Sequence, residues 1–192
     1  MAGHKLFSRR DFLQAAGVAA AASALVVLSR RLIAQPGDGG APGEVTIIEF
    51  TNDGVRKGAV TVPKVVKSDD AWRAQLKSGL AFEVARKGGT ERPFSGAFWN
   101  EHRRGLFRCV CCDTALFSSV AKFDSGTGWP SYWEPVAEEN VKHGAPSGGF
   151  TNSEVTCRRC DAHLGDLFND GPKPTGLRYC IDSVSLKFIL AT

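Results

Sequence analysis

Two short runs, Cys109-Val-Cys-Cys112 and Cys157-Arg-Arg-Cys160, constrain what this chain folds into more than any other feature. Each is a C-x-x-C. A tight turn with that spacing brings two thiolates onto one tetrahedral ion, and two such turns complete a closed four-thiolate site of the zinc type. Such a site has no open position, so its metal stabilises the fold and does not catalyse. The alternative is a pair of disulfides or redox dithiols. Against it, neither pair stands at the start of a helix, as a redox C-x-x-C would. The first run holds a third cysteine, Cys111. The two-residue spacing favours Cys109 with Cys112 as ligands and leaves Cys111 pointing elsewhere.

The elements around these runs read as β. Val45-Thr-Ile-Ile-Glu-Phe50 is a strand, Asn52-Asp53-Gly54 a turn and Gly58 to Val62 the returning strand. Ser68 can cap a short helix, with Asp69 and Asp70 in its first turn and Trp72 and Leu76 on one face. From Gly88 onward the chain is dense in Gly, Pro, Ser and aromatics. Short strands recur at 107–109, 154–157, 177–181 and 185–189. The expectation is a mostly antiparallel β fold with long ordered loops and a short N-terminal helix.

The net charge of +4 sits entirely in the first 34 residues, where Lys5, Arg9, Arg10, Arg30 and Arg31 face Asp11 alone. Of the 24 basic and 20 acidic residues, 19 of each remain in the rest of the chain. The body therefore has no bulk electrostatic reason to bind nucleic acid or anionic lipid. Ser8-Arg9-Arg10-Asp11-Phe12-Leu13, followed by the small and aliphatic run from Ala15 to Ser29, resembles a twin-arginine export signal. Arg30 and Arg31 interrupt that run, which is short for a membrane-spanning helix of roughly 20 residues. An uncleaved anchor is the alternative. The reading is a signal over residues 1–34, periplasmic export, and membrane contact only through the signal. Residues 35–67 then form a Gly/Pro-rich linker and a β-hairpin extension, and residues 68–192 the main domain. The twin-arginine route carries folded proteins, which suits a metal inserted under reducing conditions.

Cys180 lies outside both pairs, in Gly176-Leu-Arg-Tyr-Cys-Ile-Asp-Ser183. A lone strand cysteine is often a small buried hydrophobe. Arg178, two residues before it on the same strand face, favours a thiolate instead, and His163 lies a short distance upstream.

At this point the chain resembles a methionine-R-sulfoxide reductase. The resemblance runs through Gly89-Thr-Glu-Arg-Pro-Phe-Ser-Gly96, the Cys109/Cys112 pair, Lys122-Phe-Asp-Ser-Gly-Thr-Gly-Trp-Pro-Ser131, Cys160-Asp-Ala-His-Leu-Gly165, Asp170-Gly-Pro and Arg178-Tyr-Cys180. It implies a zinc-binding β-tent fold and a structural Zn2+ on Cys109, Cys112, Cys157 and Cys160. It also implies oxidised methionine, free or in proteins, as substrate and a thioredoxin-like thiol as reductant. Cys180 would be the nucleophile, passing through a sulfenic acid. Trp129 would face the substrate's methyl group. Arg178, His163 and Asp170 fall on positions that tune the thiol and the sulfoxide oxygen. Three positions depart from the pattern: Thr127 replaces a resolving cysteine, Asp166 the second histidine of His-Leu-Gly-His, and Asp182 an asparagine. Asp166 and Asp182 are expected to share a proton and supply the acid. Cys111, unassigned after metal and nucleophile, is the candidate resolving cysteine. The competing reading is a zinc-stapled binding module without redox activity.

Overall fold

A computed structural model describes residues 43–146 and 153–192. The segment read as an export signal and the linker up to residue 42 lie outside the described residues. Within the described chain, eleven strands form three antiparallel sheets beside two short helices. The mostly antiparallel β architecture expected from the sequence is the one that forms.

Glu44–Phe50 (β1) and Arg56–Pro63 (β2) make the hairpin, with Ile47 and Ile48 buried and most other positions at least partly exposed. One side chain fastens it to the rest. Asn140 is fully buried, accepts from the Ile48 N–H at 2.7 Å, and donates to the carbonyls of Ile48 at 2.9 Å and Ala115 at 2.8 Å. Arg108 adds donations to the carbonyls of Phe50, Thr51 and Asp113.

Asp69–Leu76 (α1) starts where Ser68 accepts from the Ala71 N–H, and its buried residue is Trp72. A second helix, Gly79–Lys87 (α2), was not legible in the sequence. Ser78 caps it, Gly88 in the left-handed region ends it, and it buries Ala81, Phe82, Val84 and Ala85. Burying Phe82 alone contributes roughly 2–3 kcal/mol.

Gly105–Cys109 (β3), Ala115–Ser118 (β4) and, at the C-terminus, Leu186–Leu190 (β11) form the sheet ordered β11-β3-β4. The larger sheet holds Lys122–Phe123 (β5), Ser131–Tyr132 (β6), Val141–Pro146 (β7), Ser153–Cys157 (β8), His163–Phe168 (β9) and Arg178–Ile181 (β10), ordered β5-β6-β10-β9-β8-β7. Between the sheets lies an aromatic core. Phe117 stacks on Tyr132 at 4.4 Å, and Phe107 and Tyr179 close on the same rings. Because side chains alternate along a strand, fully buried Tyr179 points inward and leaves Arg178 and Cys180 on the opposite face of β10.

Candidate active site and metal centre

The two cysteine runs fold as matching turns. Cys109 ends β3 and Cys157 ends β8, so each turn closes a strand of a different sheet. In the first, the Cys109 N–H donates to the Thr114 carbonyl and the Asp113 N–H to the Cys109 carbonyl, at 2.8 and 2.9 Å. In the second, Cys157 pairs with Ala162 and Asp161 with Cys157 in the same pattern, both at 2.9 Å. Asp113 and Asp161 take the left-handed backbone that ends each turn, a conformation Asp tolerates better than most residues.

The sulfurs of Cys109, Cys112, Cys157 and Cys160 all lie within 4.8 Å of one another. The close pairs run between the turns, Cys109 to Cys160 at 3.6 Å and Cys112 to Cys157 at 3.5 Å. A disulfide would need about 2.05 Å, whereas a tetrahedral ion with bonds of about 2.3 Å holds its sulfurs about 3.8 Å apart. The donor set fits a metal joining the ends of β3 and β8. Helices α1 and α2 lean on it: Gln75 donates to the Cys111 carbonyl at 2.7 Å and Arg86 to the Cys160 carbonyl at 2.8 Å. Cys111 is buried among these groups, with the Cys109 and Cys160 thiols and Arg86 as its polar neighbours.

The second group of residues forms around Cys180. A cavity of about 150 Å³ is lined by Thr90, Trp129, Gly165, Asp166, Phe168, Cys180 and Asp182. That is room for one small side chain. Asp166 comes from β9, where it is the cross-strand partner of Cys180. This close approach needs Gly165, at φ 147°, because a Cβ there would collide with the Cys180 carbonyl oxygen. Trp129 enters from the loop before β6, its indole N–H donating to the Glu91 carbonyl at 3.2 Å.

Electrostatics set two proton sites in the cavity. Burial pushes the Cys180 thiol above its usual range. The Thr127 hydroxyl at 3.8 Å, the Arg178 charge and Ser131 pull it down, and Asp182 pushes it up. Arg178, expected from the sequence to favour a thiolate, does pull the affinity down, but burial outweighs it. Arg178 is itself buried and held by Asp170 in a two-pronged pair at 2.8 and 2.9 Å, which draws the Asp170 carboxyl below its usual range. Asp182 is 2% exposed, and burial pushes its carboxyl up to about 6. It accepts from the Glu91 N–H at 3.0 Å, and its other oxygen stands 3.7 Å from His163 Nε2. Burial also raises the Asp166 carboxyl. Both aspartates line the cavity, yet among the described residues no hydrogen bond to the Asp166 side chain is present. His163 Nδ1 meets Glu154 at 2.7 Å.

Glu91 is the residue the sequence reading passed over. It is 2% exposed and touches Trp129, Asp182, Ser183 and Val184. The signal available was its place in Thr-Glu-Arg-Pro, since a charged residue that a fold buries must be paired or hydrogen-bonded.

The fold and site together define a β protein with a pair of turns whose four cysteines could hold a metal, and with a separate thiol lining a small cavity. Residues 78–190 match the family model of the SelR domain, and residues 6–26 match that of the twin-arginine translocation pathway signal sequence. A peptide methionine sulfoxide reductase MsrB of Herminiimonas arsenicoxydans is 54% identical over 126 residues, covering 65% of this chain and 91% of the relative. The protein of the same name from Thioalkalivibrio sulfidiphilus is 50% identical over 140 residues, covering 72% and 96%. That of Pseudomonas aeruginosa is 53% identical over 127 residues, covering 66% and 96%. The chain belongs to the SelR family. Its signal marks it for twin-arginine export and the periplasm. Among the described residues, no helix is long and apolar enough to cross a membrane. The hairpin and α1 lie outside the matched segment although they pack on its core.

Proposed function

We propose that this protein is an oxidoreductase that reduces methionine-R-sulfoxide to methionine with Cys180 as nucleophile. The observation that carries the reading is a single thiol set in a small cavity between an aromatic platform, Trp129, and two carboxyls of raised proton affinity, Asp166 and Asp182. The names of the relatives supply the substrate class. Near neutral pH the resting site holds a Cys180 thiol and an Asp182 carboxylate, the order set by their shifted affinities. Asp182 takes the thiol proton as the sulfur attacks the sulfoxide sulfur, then returns it to the oxygen. The protonated oxygen passes to the Cys180 sulfur as the substrate S–O bond and the S–S bond formed in the attack both break; the S–S electron pair stays on the substrate, which leaves as methionine, and Cys180 is left as a sulfenic acid. Asp166, across the strand pair, keeps the cavity favourable to a proton. Trp129 packs against the methyl group, His163 orients Asp182, and Asp170 fixes Arg178 beside the thiol.

A thioredoxin-like or other external thiol then attacks the sulfenic acid, releases water and forms a mixed disulfide, which a second thiol resolves. Cys111 sits with the metal thiols, which favours this external route. Cys109, Cys112, Cys157 and Cys160 would hold zinc, which would staple the two sheets and supply no chemistry to the reaction. Incubating the protein with each epimer of a blocked methionine sulfoxide and dithiothreitol tests the proposal. Turnover of the R epimer, lost in Cys180→Ser with the fold intact, is expected. Equal activity in that variant overturns it, and absence of turnover with either epimer points to the binding-module reading.

A further inference from the structure

Glu91 is a buried acid, and among the described residues no Lys, Arg or His forms an ion pair with it. Its carboxylate is satisfied by main-chain N–H groups instead. Oε1 accepts from Ser183 at 2.7 Å and Oε2 from Val184 at 3.0 Å, the first residues of the single-turn 3-10 helix that follows Asp182. Its own N–H donates to Asp182 Oδ1 at 3.0 Å, and its carbonyl accepts the Trp129 indole N–H at 3.2 Å. Trp129 and Asp182 both line the cavity, and one residue thus bonds to each of them. The close fit extends to Gly96, where a Cβ would collide with Glu91 Oε1 and Ser183 Oγ.

We propose that Glu91 is a positioning residue of the active site, fixing the aromatic platform and the proton-carrying carboxyl through its backbone and holding its own buried carboxyl beside Asp182. This rests on the reading of Asp182 as proton carrier. The ionisable groups facing Asp182 are Glu91 from its loop, His163 and Asp166 from β9, and Cys180 from β10. Burial raises the proton affinity of Asp182 most; the Glu91 N–H bond and His163 oppose that rise, and the Glu91 and Asp166 carboxyls add to it. Burial does most to keep a proton on Asp182, and the neighbouring Glu91 carboxyl adds to it.

Glu91→Gln removes the charge and turns an amide N–H toward a main-chain N–H. Glu91→Asp keeps the charge and shortens the reach. Zinc content and melting temperature identify folded material. Two readouts then decide the proposal: the pH profile of the single-turnover rate, and an infrared titration of the Asp182 carboxyl, taken as the difference from Asp182→Asn. In Glu91→Gln, the Asp182 midpoint and the lower limb of the profile should both fall by on the order of one pH unit. The rate between the limbs should drop up to about tenfold, because the thiolate–carboxylic acid form becomes rarer. Glu91→Asp should stay near the parent midpoint even where it melts lower. An unchanged midpoint in Glu91→Gln overturns the proposal, and so does an equal shift in both variants. The infrared titration needs no turnover, so it separates failure here from failure of the catalytic reading, which would show as Asp182→Asn reducing sulfoxide at the parent rate.

Discussion

Replacing Asp182 by Asn restores the amide expected from the resemblance and should expose how this site handles its proton. The structure orders the two proton sites: burial lifts the Cys180 thiol above its ordinary 9.0 and the Asp182 carboxyl from 3.8 to about 6. Between those values the site rests as thiol and carboxylate, and in the proposed mechanism reaction would pass through the form in which the proton has moved to Asp182. The parent rate should therefore rise with pH through about 6, stay level, and fall only as the thiol loses its proton. Asp182→Asn removes the carrier, so the rate should drop about 10²–10⁴-fold, or about 3–5 kcal/mol of barrier. What remains should climb with thiolate alone, without a limb near 6. Stability should move the other way. A carboxyl whose affinity is raised in the folded state contributes stability below its unfolded value, and this is lost as pH rises through about 6. Asparagine cannot ionise, and its oxygen can still accept from Glu91, so at pH 7 the variant should be more stable by on the order of 2–3 kcal/mol. At pH 4 it should be little changed. Stopped-flow single turnovers across pH, with urea unfolding at both pH values, check this. An unchanged rate and limb in Asp182→Asn would refute the reasoning.

Other consequences follow from the same geometry. Cys157→Ser should release the metal, about one per chain in the parent, and unfold the domain, because the site joins the ends of two sheets; metal analysis with thermal unfolding reads both. Asn140→Ala should cost about 3–5 kcal/mol by orphaning three buried main-chain groups of the hairpin and β4, while the folded fraction keeps its rate. Cys111→Ser should turn over with dithiothreitol at the parent rate, and mass spectrometry of the parent after one turnover should find no Cys111–Cys180 disulfide.

How much of this was legible in the sequence depends on the range of the interaction. The paired turns could be read because metal geometry fixes their spacing locally, and the Ser68 cap and the 45–62 hairpin for the same reason. β9 was not read as a strand, although it carries His163 and Asp166. His-Leu-Gly-Asp-Leu-Phe mixes a glycine and an acid into a run with no clean alternation, and its glycine is there for a neighbour fifteen residues away in sequence. The helix at Gly79 opens on a weak helix former and depends on burial of Phe82. Glu91 escaped notice because two of its contacts are made by its backbone, to residues 38 and 91 positions distant. The Arg178–Cys180 pairing was legible from strand period; that burial would outweigh it was not, since desolvation is a property of the assembled cavity.

The most direct test of the central claim is a single turnover of excess protein on methionine-R-sulfoxide without reductant, with Cys180 followed by trapping of sulfenic acid and mass spectrometry. The account predicts one methionine formed for each Cys180 that gains an oxygen, and none from the S epimer. Methionine formed while Cys180 stays unmodified would contradict it.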